Sequence, residues 1–354
     1  MSSKMTYEKA GVDILKAKEA HERIGRLIAS TFNLRKGRFG ELLNEFGHYA
    51  ALLDISPTTA IALHADGVGT KVLIAQMLDK YDTIGIDCVA MNVNDLICCG
   101  AEPVALIDYI ALETSNPLLA EDLVRGLVKG AKSAGAAIVG GETAIMPDVI
   151  KGVKPGMGFD LSALSLGVVE KKNIILGDGI KPGDVVIGLP SSGPHSNGYT
   201  LIRRILEANK ISLDSKPLKN SKTLGEILLT PTRIYVREVL KLVENRLVSG
   251  LAHITGGAFT KLMRLTKGRL GFQLSMPEPP EIFQLLQKWG NVDASEMYKT
   301  FNMGVGFCVI TRPENENAVI QLCKRPGLKP VFLGYVSERR KVTLKTYTGE
   351  EISY

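Results

Sequence analysis

At 354 residues the chain exceeds one average domain, and a hydrophobic share of 45% with a charged share of 23% excludes bulk disorder. Its 43 basic and 37 acidic side chains leave +6, with no run of five like charges, which argues against a polybasic arm for nucleic acid or a lipid surface. No apolar stretch approaches the ~20 residues of a membrane span, no signal-peptide pattern is seen, and five cysteines at no metal spacing read as reduced core thiols, so a cytoplasmic protein is expected.

Apolar spacing predicts an amphipathic helix over 13–32, with Ile14, Ala17, Ile24, Leu27, Ile28 and Thr31 on one stripe. Residues 33–54 lack a period and carry Gly37, Gly40 and Gly47, which reads as a partly mobile segment. A strand is expected at 59–64, then a turn at Gly67-Val68-Gly69 and a helix from Thr70. A short strand at 83–86 is expected to run into a helix over 88–99. A strand at 105–111, a connector with Pro117, a helix over 119–134, a strand at 136–139 ending at Gly140-Gly141, and a strand at 161–169 follow. The polar, turn-rich stretch 170–183 reads as a boundary, dividing the chain into domains 1–172 and 173–354. Beyond it come a strand at 184–189, a glycine-rich loop at 191–198 and a helix at 199–209. A long helix is predicted over 231–246, with Thr230 as N-cap and Pro231 in its first turn. A strand at 247–254, a helix from Ala258, a helix at 279–289, a strand at 304–311, a helix at 314–324 and terminal strands complete the chain. Strands and helices alternate in both halves, so both are α/β or α+β.

Glycine clusters carry the chemistry. In 66–71 (DGVGTK) a carboxylate, Asp66, ends a strand, Gly67 and Gly69 let the backbone turn closely, and Thr70 and Lys71 open a helix. Free N–H groups at a helix start favour a phosphate, and a carboxylate can hold Mg²⁺ against phosphate oxygens. A capped tight turn would look the same. The stretch 87–95 (DCVAMNVND) places Asp87, Asn92, Asn94 and Asp95 on one predicted helix. A rise of ~1.5 Å per residue sets Asp87 and Asp95 about 12 Å apart, too far to grip one ion. In 139–143 (VGGET) Glu142 stands at a strand end, either as a metal or amide contact or as a helix cap. The loop 191–198 (SSGPHSNG) offers Ser192, His195, Ser196 and Asn197 to a phosphate or ribose. His21, His48 and His64 show no ligand spacing, while His253 and the loop 301–306 are open between structure and function. Walker, HExxH, CxxC and GxSxG patterns are absent from the sequence. The remaining reading is a Mg-nucleotide or sugar-phosphate enzyme with acidic metal ligands.

These blocks resemble the phosphoribosylformylglycinamidine cyclo-ligases, the aminoimidazole ribonucleotide synthetases of purine biosynthesis. The resemblance rests on YEKAGVDI at 7–14, DGVGTK at 66–71, DTIGIDCVAMNVNDLICCGAEP at 82–103 and VGGETAIMP at 139–147. It continues through SSGPHSNGY at 191–199, PTRIYV at 231–236, HITGGAF at 253–259 and MYKTFNMGVG at 297–306. It implies a two-domain α/β (α+β) fold whose N-terminal domain forms a β-barrel across a homodimer, without nucleic acid or membrane partners. It implies ATP-dependent ring closure of formylglycinamidine ribonucleotide with Mg²⁺, and leaves a requirement for K⁺ open. Carried over by position, Asp66, Gly67, Gly69, Thr70, Lys71, Asp87 and Asn92 would contact ATP. Asp66, Asp95 and Glu142 would hold metal, and His195, Lys71 and Asp95 would act in catalysis. Ser192, His195, Ser196, Asn197 and Asn302 would hold the substrate. Selenophosphate synthetase, thiamine-phosphate kinase and a hydrogenase maturation factor share the superfamily, and a silent nucleotide-binding subunit is the alternative from another class.

Overall fold

Backbone pairing divides the chain into two sheets, one on each side of the stretch 171–184. The computed structural model describes residues 5–6, 11, 14–219 and 221–354. Most of the YEKAGVDI block, together with residue 13 of the first predicted helix, lies outside them.

The first sheet contains β1 (Ala51–Asp54), β2 (Thr59–Gly67), β3 (Glu102–Leu112), β4 (Ala137–Ile145) and β5 (Phe159–Glu170), in the order β1-β2-β5-β3-β4. Helices α1 (Ile14–Ala29), α2 (Val72–Leu78), α3 (Ile84–Ile97) and α4 (Pro117–Ala134) accompany it. Only β3 and β4 pair in parallel, because α4 forms the crossover between them. In β5 the alternation is regular: Leu161, Ala163, Ser165 and Val169 are buried against the helices, while Leu164 and Val168 are exposed. Helix α3 is buried nearly all round beneath β2 and β5, and α4 packs on its far side. The two helices meet through glycines. A Cβ at Gly85 would stand 2.1 Å from the Leu127 nitrogen, and one at Gly126 would stand 2.8 Å from the Asp82 carbonyl.

The second sheet contains β6 (Val185–Pro190), β7 (Gly250–His253), β8 (Gly271–Ser275), β9 (Val305–Thr311), β10 (Val331–Ser337), β11 (Val342–Lys345) and β12 (Glu351–Ser353). Its order is β12-β11-β8-β10-β6-β9-β7. Helices α5 (Tyr199–Ala208), α6 (Leu224–Leu228), α7 (Val236–Glu244), α8 (Leu262–Leu265), α9 (Glu281–Gly290), α10 (Ala294–Thr300) and α11 (Glu316–Cys323) surround it. All five cysteines are free and buried. Among the described residues no helix is long and apolar enough to cross a membrane.

Several sequence expectations change. Residues 84–86 are the first turn of α3, not a strand: a short β-branched run cannot be told from a buried helix by composition. Strand β4 runs through Gly140-Gly141 instead of ending there. Pro117 is the first residue of α4, behind the Asn116 cap, which accepts from the Leu119 N–H. The helix placed over 231–246 begins only at Val236, so Thr230 caps nothing and 231–235 is a non-helical strap. Helix α6 was missed although its capping box, Thr223 with Glu226, is a readable signal. In the apolar stripe of α1, Ile24, Leu27 and Ile28 are exposed, not core. Among the described residues no closed barrel forms; β4 is an edge of the first sheet, and residues 40–43 run along the outer side of β1, with Leu42 bridged to Leu53.

Candidate functional site

Helix α3 carries Asp87, Asn92, Asn94 and Asp95, all buried, and each finds a different partner. Burying polar groups is costly unless they are hydrogen-bonded, so the partners define what each residue does. Asn92 holds the end of β2. Its amide oxygen accepts from the Asp66 N–H (3.2 Å), and its nitrogen donates to the Asp66 carbonyl (3.0 Å). It therefore fixes Asp66 by both backbone groups. Asn94 accepts from the Tyr235 N–H (3.0 Å) and donates to the Arg233 carbonyl (2.8 Å), which fastens the 231–235 strap to α3.

The ends of the α3 polar face differ. At its start, the Asp87 carboxylate lies 2.9 and 2.8 Å from the Lys71 ammonium, which also donates to the Thr230 carbonyl (2.8 Å). Thr232 donates to Asp87 through its N–H (2.7 Å) and hydroxyl (2.6 Å), and Ser196 donates its hydroxyl (3.2 Å). Lys71 and Asp87 are both wholly buried. Burial pushes the Lys71 pKa down, against the opposing charge of Asp87. The sequence reading sets Lys71 and Asp87 against ATP; in the fold the ammonium is turned inward and held by Asp87 and the Thr230 carbonyl.

At the far end of the face, Asp95 pairs with His253, the last residue of β7, at 2.7 Å. Its other oxygen lies 3.6 Å from His64 Nε2 on β2. Burial opposes ionisation of Asp95, but the His253 hydrogen bond and nearby positive charge outweigh it and hold the pKa down to about 2. Burial lowers the His253 pKa, so a neutral ring donates from Nδ1 to an ionised Asp95. The Lys261 ammonium bonds the Thr255 hydroxyl and lies 5.9 Å over the Tyr49 ring. Lys261 and His64 were missed as members of this cluster. Nothing in their spacing announces it, because the fold brings β2, β7 and the turn after β7 together.

Asp66 accepts from the Gly67 N–H through one oxygen (2.8 Å) and keeps the other without a hydrogen-bond partner. Burial raises its pKa, against the charge of His64. Gly69 follows with φ +70° and open space where a Cβ would be, and the Thr70 hydroxyl meets that of Thr200 at 3.0 Å. Glu142 is elsewhere. Asp66, Ala163, Asp108 and Gly141 lie in register across four strands, three strand spacings or about 14 Å. Glu142 is exposed on the outer sheet face and accepts only from the Thr143 N–H (2.9 Å). Of the residues expected to hold metal, Glu142 thus stands apart from Asp66 within a single chain. Among the described residues no group of three or more metal-ligating side chains forms. Glu142 and Asp66 instead line opposite ends of a groove of about 710 Å³.

The loop 191–198 is fixed from below. Ser192 donates to the Pro231 carbonyl (2.6 Å), and Asn302 donates to the Gly193 carbonyl (2.9 Å). His195 sits at φ +62°, a left-handed conformation uncommon for a residue with a side chain. Its Nε2 accepts from the Ser192 N–H (3.2 Å), while Nδ1 is buried without a partner. Burial, then the neighbouring His253, keeps the ring neutral, so Nδ1 carries an unused N–H donor. Gly306 makes room for it: a Cβ there would lie 2.1 Å from the Tyr235 hydroxyl and 2.5 Å from His195 Cε1. The Asn197 side-chain oxygen is likewise buried and unpaired.

The AIR synthase related protein N-terminal domain matches residues 47–169, and its C-terminal domain matches 181–346. A phosphoribosylformylglycinamidine cyclo-ligase of Pyrococcus furiosus is 48% identical over 97% of this chain and 98% of its own. One from Methanobrevibacter smithii is 44% identical over 99% of this chain and 100% of its own. Among solved structures, T. maritima PurL complexed with ATP superposes with a TM-score of 0.59 at 15% identity, covering 90% of this chain and 45% of that one.

Proposed function

The chain belongs to the phosphoribosylformylglycinamidine cyclo-ligases of the AIR synthase related family, and we propose that it cyclises formylglycinamidine ribonucleotide to 5-aminoimidazole ribonucleotide with ATP, a cytoplasmic step of purine biosynthesis. The formyl amide oxygen is a poor leaving group. Transfer of the γ-phosphoryl group breaks its bond to the β-bridging oxygen, releases ADP and forms a phosphate ester on the formyl amide oxygen. The amidine nitrogen then attacks the same carbon, the carbon–oxygen bond breaks, phosphate leaves, and the nitrogen loses its proton as the ring forms. Such a sequence asks the protein for positioning and charge neutralisation.

Asp66 and Asp95 fit Mg²⁺, which uses one or two carboxylates plus phosphate oxygens and does not need a closed protein cage. The fit rests on the unpaired oxygen of Asp66 and the ionised state of Asp95. Bound there, the ion would neutralise the triphosphate. Gly67, Gly69 and Thr70 present the backbone turn to the nucleotide. The buried Nδ1–H of His195 and the unpaired oxygen of Asn197 supply a donor and an acceptor to the substrate. Ser192 and Asn302 act by holding that loop.

A homodimer is part of this reading. The outer face of the first sheet exposes Val104, Ile107, Tyr109, Val139, Leu164 and Val168, an apolar surface suited to a second copy. Glu142 stands beside it, so it reaches an Asp66 metal only if that metal belongs to the other copy.

The full-length likeness to cyclo-ligases carries the reading. Purified protein given the ribonucleotide, ATP and Mg²⁺ is expected to form aminoimidazole ribonucleotide and ADP in equal amounts. ATP consumption that ignores the ribonucleotide would sink it.

A further inference from the structure

We propose that Lys71, Asp87 and Thr232 form a positioning unit that holds the loop 191–198 in its ligand-receiving geometry, and that none of the three touches the nucleotide. The proposal rests on the reading of that loop as the substrate holder. Thr232 is its new member: it lies in the PTRIYV block at 231–236, to which the resemblance assigns no role.

The unit is continuous. One oxygen of Asp87 receives the Lys71 ammonium, the Thr232 N–H, the Thr232 hydroxyl and the Ser196 hydroxyl, at 2.6–3.2 Å. The Thr232 and Ser196 hydroxyls also lie 3.1 Å apart. Both ends of the loop are tied to one short strap. Ser196 reaches Asp87 and Thr232, and Ser192 donates to the Pro231 carbonyl. The strap is tied to Lys71 through the Thr230 carbonyl. Beneath the ammonium lies the Tyr199 ring, 5.6 Å away, and the Tyr199 hydroxyl bonds the Leu228 carbonyl at 2.5 Å. Residues 228–232 are therefore clamped between the end of the glycine motif, the start of α3 and the loop.

Such an arrangement is poorly explained as a device for stability alone. Apolar side chains of similar volume often serve a buried ion pair's place equally well, whereas removing one partner is costly. A charged, directional knot gives registry instead. Registry is what this loop needs, because it keeps His195 at φ +62° and leaves the Nδ1 of His195 and the Oδ1 of Asn197 buried without partners. The glycine motif thus divides its labour: Asp66 and Gly69 face the nucleotide side, while Lys71 turns inward to set the substrate loop.

Thr232→Val tests this without stripping a buried charge, and Thr232→Ser restores the hydroxyl. Loss of a hydrogen bond to a charged acceptor predicts about a tenfold rise in KM for the ribonucleotide in Thr232→Val, with KM for ATP and Kd for ADP within about twofold of wild type. Thr232→Ser is expected to return the ribonucleotide KM to within about threefold of wild type. Amide hydrogen exchange should quicken over 192–198 in Thr232→Val and not over 66–70. An ADP affinity that falls as much as the ribonucleotide affinity would overturn the proposal. So would unchanged exchange over 192–198 in a variant whose melting temperature has held. Exchange and ADP binding do not depend on turnover, so a wild-type protein that fails to cyclise would count against the reaction and leave these two readouts to decide the positioning role.

Discussion

Asp87 and Asp95 are the same residue type on the same buried helix, yet the structure gives them opposite occupations. Asp87 takes Lys71, two groups of Thr232 and the Ser196 hydroxyl on one oxygen, while its other oxygen lies 2.8 Å from the Lys71 ammonium and is buried without a hydrogen-bond partner. Asp95 has one hydrogen bond, from a neutral histidine, with a second imidazole 3.6 Å away and Lys261 nearby. Burial alone therefore says little about which acid meets a ligand. The informative quantity is what already surrounds each acid: Asp87 is enclosed by a buried lysine and the donors of the strap and loop, whereas Asp66 and Asp95 meet one hydrogen-bond donor each.

The largest test of that contrast is Lys71→Met. It leaves the Asp87 charge buried without its cation, and unfolding in denaturant should show a loss of about 3–5 kcal/mol. Lys71→Met with Asp87→Asn should recover part of it, because the stranded charge is gone. A single variant as stable as wild type would mean Asp87 does not need Lys71. Asp95→Asn should act on the reaction instead. A developing charge deprived of its electrostatic partner costs about 10²–10³ in kcat. Turnover above a third of wild type would remove Asp95 from the catalytic set.

How much of this could be read from the chain itself follows the same division. The glycine clusters, the strand before Asp66, the helix bearing Asp87 and Asp95, and the loop around His195 all stand near their expected places, because short-range patterns encode them. The occupations of Lys71 and Asp87 were not legible. They depend on Thr232 and Ser196, which lie 145 and 109 residues from Asp87 and meet it only when the two sheets assemble. The false helix start at Thr230 has the same origin. Thr-Pro reads locally as an N-cap, but tertiary bonds from Lys71, Ser192 and Asn94 pull 230–233 into a strap. Glu142 was misplaced because a strand end was inferred at Gly140-Gly141, whereas the strand continues and carries the side chain to the outer face.

A gentler probe separates the two ends of α3 by pH. His48 Nδ1 lies 3.2 Å from the Cys99 sulfur, just beyond the helix C-terminus. Burial, then the charge of Arg264, lowers its pKa from 6.5 to about 4. Between those values the unfolded chain binds more protons, so the stabilisation from neutral His48 is complete above pH 6.5 and is lost as pH falls toward 4. Discounted for incomplete burial, the loss should be about 2–3 kcal/mol, seen as a falling melting temperature. His48→Gln should flatten that slope. An equally steep decline in the variant would assign the acid sensitivity to other groups.

The smallest effect on the chain itself should come from Leu164→Glu. Leu164 lies on the outer face of β5, opposite Ile107, where a surface substitution changes chain stability by no more than about 0.5 kcal/mol. Its consequence belongs to association. If the proposed homodimer forms through that apolar face, a charge in its middle should shift the protein from dimer to monomer in light scattering at micromolar concentration. The same variant sharpens the question of Glu142. If Glu142 serves a metal held by Asp66 of a second copy, monomeric Leu164→Glu should lose turnover as severely as Glu142→Gln, although Asp66, Asp95 and the substrate loop are untouched. If the monomer retains full turnover, each chain holds a complete site, and Glu142 belongs to the sheet surface and not to the chemistry.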